Sequence, residues 1–356
     1  MKRLALAHLR ALRTASQRLD RPPHGSVSEL VRALGGVQAQ VLSSAELALR
    51  ARGRALTREK IARAREQDRS IVWCWAMRGT LHLVAADDLP WMLPLFAPGA
   101  CANSRRRLKQ LGVREDHVEV AVERIERALR DDGPLPRREL AARLAKHGIE
   151  TRGQAIAHLV HVAAMRGRIA CGPLRGQDQT FVALSDWLPR WRLREPDPAE
   201  LARRFLGAYG PASPSDLAAW SGLGVAAARA AFEAISGELT ALEGQLWSLR
   251  GSSREAKAGV ARLLPSFDGY LLGYKDRAFA LPEAHARKVN AGGGWLHPQL
   301  FADGQVVGTW KWNAGHVRPE LSPFRPLSPE TRAALEADAA EVGAFASLSK
   351  RAHRGR

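Results

Sequence analysis

Apolar residues recur at helical spacing over the first part of the chain and then give way to strand-like runs. Leucines at positions 4, 6, 9, 12 and 19 predict a one-sided helix over residues 2–19, and further helices are predicted at 26–34, 42–50 and 57–65. Residues 70–77 and 80–84 instead have the composition of strands, joined at Arg78–Gly79 as in a β-hairpin. Helices followed by a two-stranded hairpin are the skeleton of a winged helix, so this segment predicts such a domain.

The same order of elements recurs later in the chain. Predicted helices at 137–147 and 152–167 precede strands at 168–171 and 180–184, and helices at 198–209, 213–221 and 225–235 precede strands at 239–242 and 246–249. The copies do not match residue by residue, so the repetition is one of order. Beyond residue 259 the helical period fades, strands at 295–301 and 305–312 flank the turn Asp303–Gly304, and a last helix follows Ser328.

These elements predict an α+β fold of three tandem winged-helix domains, a small β-barrel and a C-terminal helix. The expected boundaries are residues 1–112, which include the glutamine pair treated below, then 113–195, 196–255 and 256–356. A chain of 356 residues is long enough for several domains.

The net positive charge of the chain indicates the kind of molecule that it binds. The sequence carries 54 lysines and arginines against 36 aspartates and glutamates, with a formal net charge of +18 and one local arginine run at 105–107. Such an excess favours a polyanion, with nucleic acid ahead of a membrane surface. Three widely spaced cysteines give neither a disulfide framework nor a zinc-finger spacing, and Arg10 and Arg13 interrupt the N-terminal apolar run too early for a signal peptide. We expect a cytoplasmic monomer, nucleoid-associated when bound to DNA, with no membrane contact, cofactor or metal.

A pair of glutamines is the first candidate for chemistry. Gly35–Gly36 breaks the preceding helical run, and Gln38 and Gln40 follow two residues apart. In an extended segment both side chains project to the same side, and Ser43 or Ser44 can cap the helix that follows. Two neutral amides directed at one point are an unusual arrangement, although glutamine pairs also solvate loop backbone.

Polar residues on a later helix form a second candidate. Gln154, His158 and His161 share one face of the helix predicted at 152–167. This face predicts contact with DNA, and a solvated or interdomain face is the alternative. A metal site at the two histidines lacks a third ligand.

Two smaller groups complete the candidates. Arg78 and His82 lie on the first hairpin and are predicted DNA contacts. His82 is either a functional side chain, with a catalytic role, or a hydrogen-bonded structural histidine. Lys275 and Arg277 are predicted phosphate contacts, and Asp268 is expected to cap a short helical turn.

Four stretches together resemble the AlkZ/YcaQ family of bacterial winged-helix proteins, which includes crosslink-repair DNA glycosylases. In the family's order they are residues 36–40, 75–83, 172–187 and 264–277. The resemblance implies three tandem winged helices and a β-barrel arranged as a C-shaped DNA clamp. It also implies double-stranded DNA with alkylated purines as the partner, and excision of N7-alkylated purines, including the unhooking of interstrand crosslinks.

The family's motif is Gln–apolar–Gln, or Gln–apolar–Asp in the YcaQ branch, and it falls on Gln38, Ala39 and Gln40. The resemblance thus implies that Gln38 and Gln40 are catalytic and that the chain belongs with the AlkZ branch. A cationic N7-alkylpurine leaves as a neutral base, so the amides would only orient a water and present carbonyl dipoles to the oxocarbenium-like transition state. Two other functions stay open, a winged-helix DNA-binding regulator without activity and a scaffold that binds proteins.

Overall fold

The computed structural model of the chain describes residues 5–252, 254–292, 294–313 and 317–352, with side chains as far as residue 346. The chain forms two compact units. The first unit comprises Met1–Ala62, Ala199–Trp220 and Gly224–Arg356, and the second comprises Arg63–Pro198 and Ser221–Leu223.

Helices account for most of the regular structure. In chain order they are α1 (Leu6–Ser16), α2 (Val27–Ala33), α3 (Leu42–Arg50), α4 (Arg58–Glu66), α5 (Leu89–Gln110), α6 (Glu115–Asp132), α7 (Arg137–Ala145), α8 (Ala155–Met165), α9 (Leu184–Trp187), α10 (Pro198–Tyr209), α11 (Pro214–Ser221), α12 (Val225–Ala234), α13 (Gly269–Leu272), α14 (Glu283–Val289) and α15 (Pro329–Ala352).

The strands are short and mostly antiparallel hairpin partners. In chain order they are β1 (Val37–Gln38), β2 (Ile71–Trp75), β3 (Leu81–Ala85), β4 (Leu135–Pro136), β5 (Ile169–Arg175), β6 (Asp178–Ala183), β7 (Leu239–Leu242), β8 (Leu246–Leu249), β9 (Ala261–Leu264), β10 (Asn290–Gly292), β11 (Trp295–Leu296), β12 (Gln299–Ala302), β13 (Gln305–Lys311) and β14 (Glu320–Pro323). Helices precede the hairpins β2–β3, β5–β6 and β7–β8, in the order that the sequence predicts. The division into four domains stays a prediction.

The second unit is built around an antiparallel sheet in which the strands run in the order β3-β2-β5-β6-β4. Trp73 of β2 pairs with Leu83 of β3 on one side and with Cys171 of β5 on the other. Strands β2 and β3 are almost entirely buried. Their near-continuous apolar sequences explain why two hairpins that the sequence predicts as separate wings share one sheet.

The C-terminal part of the first unit contains an open four-stranded sheet with strand order β14-β13-β12-β9. The turn Asp303–Gly304 joins β12 and β13, and both of its residues have positive φ, as the sequence predicts for this hairpin. Strands β9 and β14 are the two edges and do not pair within the described residues, so the predicted closed barrel is wrong. The reason is that α15 covers the sheet, packing Leu335, Ala339 and Val342 against strand residues that include Leu263.

Candidate catalytic loop and nucleic-acid interface

The glutamine pair follows a helix that ends at two glycines. The Gly36 N–H donates a hydrogen bond to the carbonyl oxygen of Val31 over 3.0 Å. The Gly35 N–H donates in the same way to Arg32, also over 3.0 Å, which completes the usual C-terminal turn of a helix. Gly35 has a φ of 66°, and a Cβ there would lie 3.3 Å from Cζ2 and Cη2 of Trp220. Position 35 therefore favours glycine for its backbone conformation and for its close packing.

Burial alternates along the segment that carries the two glutamines. Val37 is buried and Ala39 has 0% exposure. Gln38, at the end of β1, is half-buried, and Gln40 is exposed where the chain bends. The alternation directs both amides away from the interior, as expected from their two-residue spacing.

Helix α3 follows the glutamines directly. Its N-cap is Val41, which has an extended backbone with φ −119° and ψ 110°, and no side chain among the described residues caps it. The carbonyl oxygen of Val41 accepts a hydrogen bond from the Ala45 N–H at 3.2 Å. The prediction that Ser43 or Ser44 caps this helix is therefore wrong, because the helix begins at Leu42, before both serines.

Arginine–carboxylate pairs hold helix α3 within the first unit. Arg58 Nε donates to the carboxylate of Glu46 on α3 at 2.8 Å. At the last residue of the helix, Arg50 Nη2 donates to Asp338 of α15 at 2.8 Å, and both side chains are less than a tenth exposed. The helix behind the glutamines is thus fixed at its middle and at its C-terminal end.

A third pair beyond the end of α3 is completely buried. Arg52 donates hydrogen bonds of 2.6 and 2.8 Å to the two carboxylate oxygens of Asp268, and one of 2.9 Å to Gln17 Oε1. Asp268 also accepts the Tyr270 N–H at 2.8 Å, which confirms its predicted role as a helix cap. Sequence reasoning missed the ion pair. Its signal was a carboxylate within the apolar run 263–271, since a buried charge requires a partner.

His82 lies in the interior of the second unit. It is 2% exposed, and its Nδ1 donates to the carbonyl oxygen of Thr80 at 2.9 Å. Burial, assisted by the charge of Arg78, lowers the pKa of His82 to about 3, so the imidazole is neutral at physiological pH. Of the two possibilities left open by the sequence, the structure matches the hydrogen-bonded structural histidine, and this buried side chain has no surface with which to touch DNA.

The predicted polar face of helix α8 is partly internal. The hydroxyl of Ser104 on α5 lies 2.8 Å from Nδ1 of His161 and 3.2 Å from Nδ1 of His158, so it joins the two imidazoles. Burial lowers the pKa of both histidines. Gln154 is exposed, and its Oε1 accepts hydrogen bonds of 3.0 and 3.2 Å from Arg107. Of the three residues, Gln154 is the one that a ligand can reach most easily.

Arg78 stands at the tip of the first hairpin, in a short 3₁₀ turn that spans Met77–Gly79. Its φ of 56° and ψ of 14° are left-handed, an uncommon conformation for an arginine. Gly222 packs on this turn, and a Cβ added there would lie 3.0 Å from the Arg78 Cα. A strained backbone held by its surroundings is a reason to suspect function at this position.

Lys275 and Arg277 follow α13 in the first unit. Lys275 is exposed, and its backbone N–H is fixed by a 2.9 Å hydrogen bond to Asp216 Oδ1. Arg277 is half-buried, its Nη1 lies 3.3 Å from the Asn290 side-chain oxygen, and burial lowers its pKa. Of the two, Lys275 is the more accessible to a phosphate group of a bound ligand.

A profile of the AlkZ-like DNA glycosylase family matches residues 31–345. The chain belongs to this family. An interstrand DNA cross-link repair glycosylase of Streptomyces sahachiroi is 33% identical to it over 363 residues, which cover 96% of each protein. The solved structure of Streptomyces sahachiroi DNA glycosylase AlkZ matches it with a TM-score of 0.82 and 30% identity, over 97% of this chain and 98% of that one. The predicted resemblance is confirmed, and the chain is a DNA glycosylase.

The first arginine of the run at 105–107 in this AlkZ-like glycosylase is engaged in ion pairs. Arg105 pairs with Glu115 and Glu119. Arg166 pairs with Glu119 as well, at 2.5 Å, and hydrogen bonds from both guanidinium groups lower the pKa of Glu119 to about 2. Clustering along the sequence therefore overstates the positive charge that α5 offers to DNA.

The described helices of the glycosylase include none that is both long enough and apolar enough to cross a membrane. The described residues also contain no group of three or more histidines, cysteines and carboxylates that could hold a metal ion.

Proposed function

We propose that this glycosylase hydrolyses the N-glycosidic bond of cationic N7-alkylated purines in double-stranded DNA and unhooks interstrand crosslinks built on them. The name of its Streptomyces relative, an interstrand DNA cross-link repair glycosylase, supports crosslinked DNA as a substrate. The observation that carries the proposed site is the position of Gln38 and Gln40 on either side of the buried Ala39, with both amides directed away from the interior.

Two neutral amides suit this chemistry. An N7-alkylated purine is already cationic, so it departs as a neutral base and needs no general acid. The remaining requirement is a water held against C1′ of the sugar and a stabilised oxocarbenium-like transition state. Glutamine carbonyl oxygens can accept hydrogen bonds from that water and direct their dipoles at the developing positive charge. They cannot remove a proton, so the proton that the water loses on attacking C1′ passes to solvent. We expect the site to act poorly on uncharged lesions.

The surroundings of the pair support such a role because catalytic groups must be held in place. The glycine turn at Gly35–Gly36 fixes the entry to the segment. The pairs made by Arg50 and Arg58 fix the helix that follows it. Side chains on a segment held at both ends are already oriented, so they lose little conformational entropy when the substrate binds.

The DNA contacts of this proposal come from exposed polar and basic side chains. Lys275 and Gln154 are exposed and Arg78 is held at a hairpin tip, so we infer that these three contact the sugar–phosphate backbone. We infer further that the three helix–hairpin segments act as winged helices on the duplex. We expect the protein to act as a monomer in the cytoplasm, where chromosomal DNA is available.

The test is release of 7-methylguanine from duplex DNA. Gln38→Ala and Gln40→Ala should each lower the single-turnover excision rate by about 100-fold or more, since each removes a group aimed at the transition state. DNA affinity should change by less than about threefold, because an uncharged side chain adds nothing to the salt-dependent attraction.

The matched control is Ser43→Ala, a change of an exposed side chain three residues beyond Gln40. It should leave both excision and affinity as they are. An unchanged excision rate in the two glutamine variants would remove the pair from the mechanism. DNA binding without any excision by the unaltered protein would instead favour a regulator.

A further inference from the structure

A cavity of about 830 Å³ opens in the first unit at the C-terminal end of helix α3. The side chains that give it its chemical character are Arg21, Arg50, Arg54, Arg262, Leu56 and Phe345. Its volume is in the range of small-molecule sites in proteins. Neither Gln38 nor Gln40 lines it, and nothing in the proposed chemistry uses it.

The carboxylates at this cavity are already paired. Asp338 accepts a hydrogen bond of 2.8 Å from Arg50, and Glu341 lies 3.3 Å from the same guanidinium group. Asp20 accepts hydrogen bonds of 2.5 and 3.0 Å from Arg254. These acids therefore neutralise Arg50 and Arg254 and leave the other arginines of the cavity uncompensated.

Three guanidinium groups remain. Within the part of the chain that the structure describes, Arg21, Arg54 and Arg262 have no carboxylate partner. Arg21 and Arg54 are exposed, while Arg262 is half-buried and uses Nη1 to donate to the Ala261 carbonyl oxygen at 2.8 Å. The planar guanidinium fork fits phosphate oxygens, and several of them around one concave surface attract an anion strongly.

One wall of the cavity is apolar, and this limits the kind of anion that fits it. Leu56 and the ring of Phe345 line the same cavity as the three arginines. A bare inorganic ion would leave this wall uncovered, whereas a DNA strand brings the deoxyribose sugars beside its phosphates to cover it. Phosphate joined to a nucleoside therefore suits the cavity better than phosphate alone.

We propose that this cavity binds phosphate groups of the DNA strand at a distance from the lesion, giving the glycosylase a second grip on its substrate. The proposal depends on the proposed function for the presence of a lesion but not for the chemistry at Gln38 and Gln40. Helix α3, which lies between the two places, has nine residues. It spans about 13 Å at 1.5 Å per residue. For α3 lying along the duplex, a rise of about 3.4 Å per base pair places the phosphates bound here about four base-pair steps from the lesion.

The first experiment measures DNA affinity against salt concentration for the full chain. Combining Arg21→Ala, Arg54→Ala and Arg262→Ala should reduce the slope of log affinity on log salt by about 2 to 3, since each lost phosphate contact removes about 0.9. An unchanged slope overturns the proposal. If the triple variant unfolds, Arg21→Ala and Arg54→Ala alter exposed side chains and should each reduce the slope by about 0.9.

The matched control is Arg287→Ala on α14, an exposed arginine of the same unit that does not line the cavity. It removes the same charge and should leave the slope within about 0.3 of the unaltered protein. An equal reduction in this control would show that overall charge, not the cavity, sets the salt dependence, and would overturn the proposal.

A second experiment separates a DNA strand from a free nucleotide as the source of the phosphate. Single methylphosphonate linkages, which are uncharged, are placed at successive positions of a duplex that carries 7-methylguanine. Those about four steps from the lesion should weaken binding to the unaltered protein but not to the triple variant. Tight binding of deoxyguanosine monophosphate with no effect of any methylphosphonate would assign the cavity to a free nucleotide and contradict the proposal.

Failure of this proposal and failure of the proposed function are distinguishable. Gln38→Ala in the same salt series should lose excision and keep the slope, while the cavity variant should lose slope. Should the unaltered protein excise nothing, the salt slopes of the cavity variant and of Arg287→Ala on undamaged DNA still decide whether the cavity holds phosphate.

Discussion

The glutamines of the first unit and the histidines of the second unit are both polar residues for which the sequence predicts a function. In the structure they differ in burial and in their hydrogen-bond partners. Gln38 and Gln40 are directed outward on a short segment between two helices. His82 is buried against a backbone carbonyl, and His158 and His161 share the hydroxyl of Ser104. The glutamine pair reaches the surface at Gln40, whereas the imidazoles bond within the protein.

A polar residue inside a buried strand and a polar residue in a surface connection face different requirements. Strand β3 is buried along its whole length, so the single imidazole within it must find a protein partner. The glutamines follow a glycine turn and precede a helix, in a connection that runs near the surface. Polar residues on supported connections are the more frequent carriers of function.

The largest expected effect on stability comes from removing the buried ion pair just beyond the helix that follows the glutamines. Arg52→Ala should lower the free energy of unfolding by about 3 to 5 kcal/mol, because it leaves the carboxylate of Asp268 buried without its counter-ion. Urea unfolding monitored by tryptophan fluorescence would measure it. Arg203→Ala removes an exposed ion pair with Glu238 and should cost less than about 1 kcal/mol. Equal losses in the two variants would contradict the anchoring role of Arg52.

A smaller effect acts on the glycine turn itself. Gly35→Ala combines a left-handed backbone, which costs a non-glycine residue about 1 to 2 kcal/mol, with a contact to the ring of Trp220 that adds about 1 to 3 kcal/mol. Excision should fall with it, because the segment that follows must shift. The measurement is unfolding free energy together with release of 7-methylguanine.

Gly112→Ala is the control for this turn. Gly112 has a φ of 79°, and no atom lies within 4 Å of the Cβ it would gain, within the described residues. It should therefore show the backbone cost alone, with excision unaffected. If the two alanine variants behave alike, the packing of Gly35 on Trp220 has no part in holding the glutamines.

Much of this molecule was predictable because its patterns are local. The hairpin at Asp303–Gly304, the cap at Asp268 and the order of helices before hairpins each follow from a few neighbouring residues. The resemblance of four stretches to a family identified the chain as a whole, which the profile match over residues 31–345 confirms. The catalytic role of Gln38 and Gln40 stays a prediction.

What the sequence could not supply are the long-range partners. Arg52 and Asp268 are separated by 216 positions, and no local pattern connects them. The predicted barrel failed for the same reason, since α15 covers the open sheet from a distant part of the chain. The helix start before Ser43 depends on the extended backbone of Val41, which side-chain capping preferences do not encode.

The third prediction concerns the internal imidazoles. The pKa of His82 is about 3 in the folded protein, against 6.5 for a histidine in the unfolded chain. The unfolded state therefore binds a proton below pH 6.5 that the folded state does not, so stability falls as the pH falls through the window from 6.5 to 3. The loss between about pH 7.5 and 5 should be about 2 kcal/mol.

His82→Phe separates this contribution from those of His158 and His161, whose pKa values are also lowered. Unfolding free energies of both proteins are measured across the same pH range. The variant should lose about 2 kcal/mol less on acidification than the unaltered protein. An identical pH dependence would mean that His82 has the same pKa in the folded and unfolded states. Its imidazole would then be accessible to protons in the folded protein, and the contrast with the glutamines would be wrong.

The smallest effect concerns Gln154, the exposed member of the histidine face. As a neutral side chain, it can contribute a hydrogen bond to DNA but no counterion release. Gln154→Ala should therefore weaken duplex binding by about two- to tenfold while leaving the salt slope unchanged. Arg107→Ala removes the charged partner that lies 3.0 Å from Gln154, and should reduce that slope by about 0.9. A reduced slope in the Gln154 variant would show that the amide acts by holding Arg107 in place. Normal binding in both variants would show that this face of α8 does not contact DNA, as its histidines already indicate.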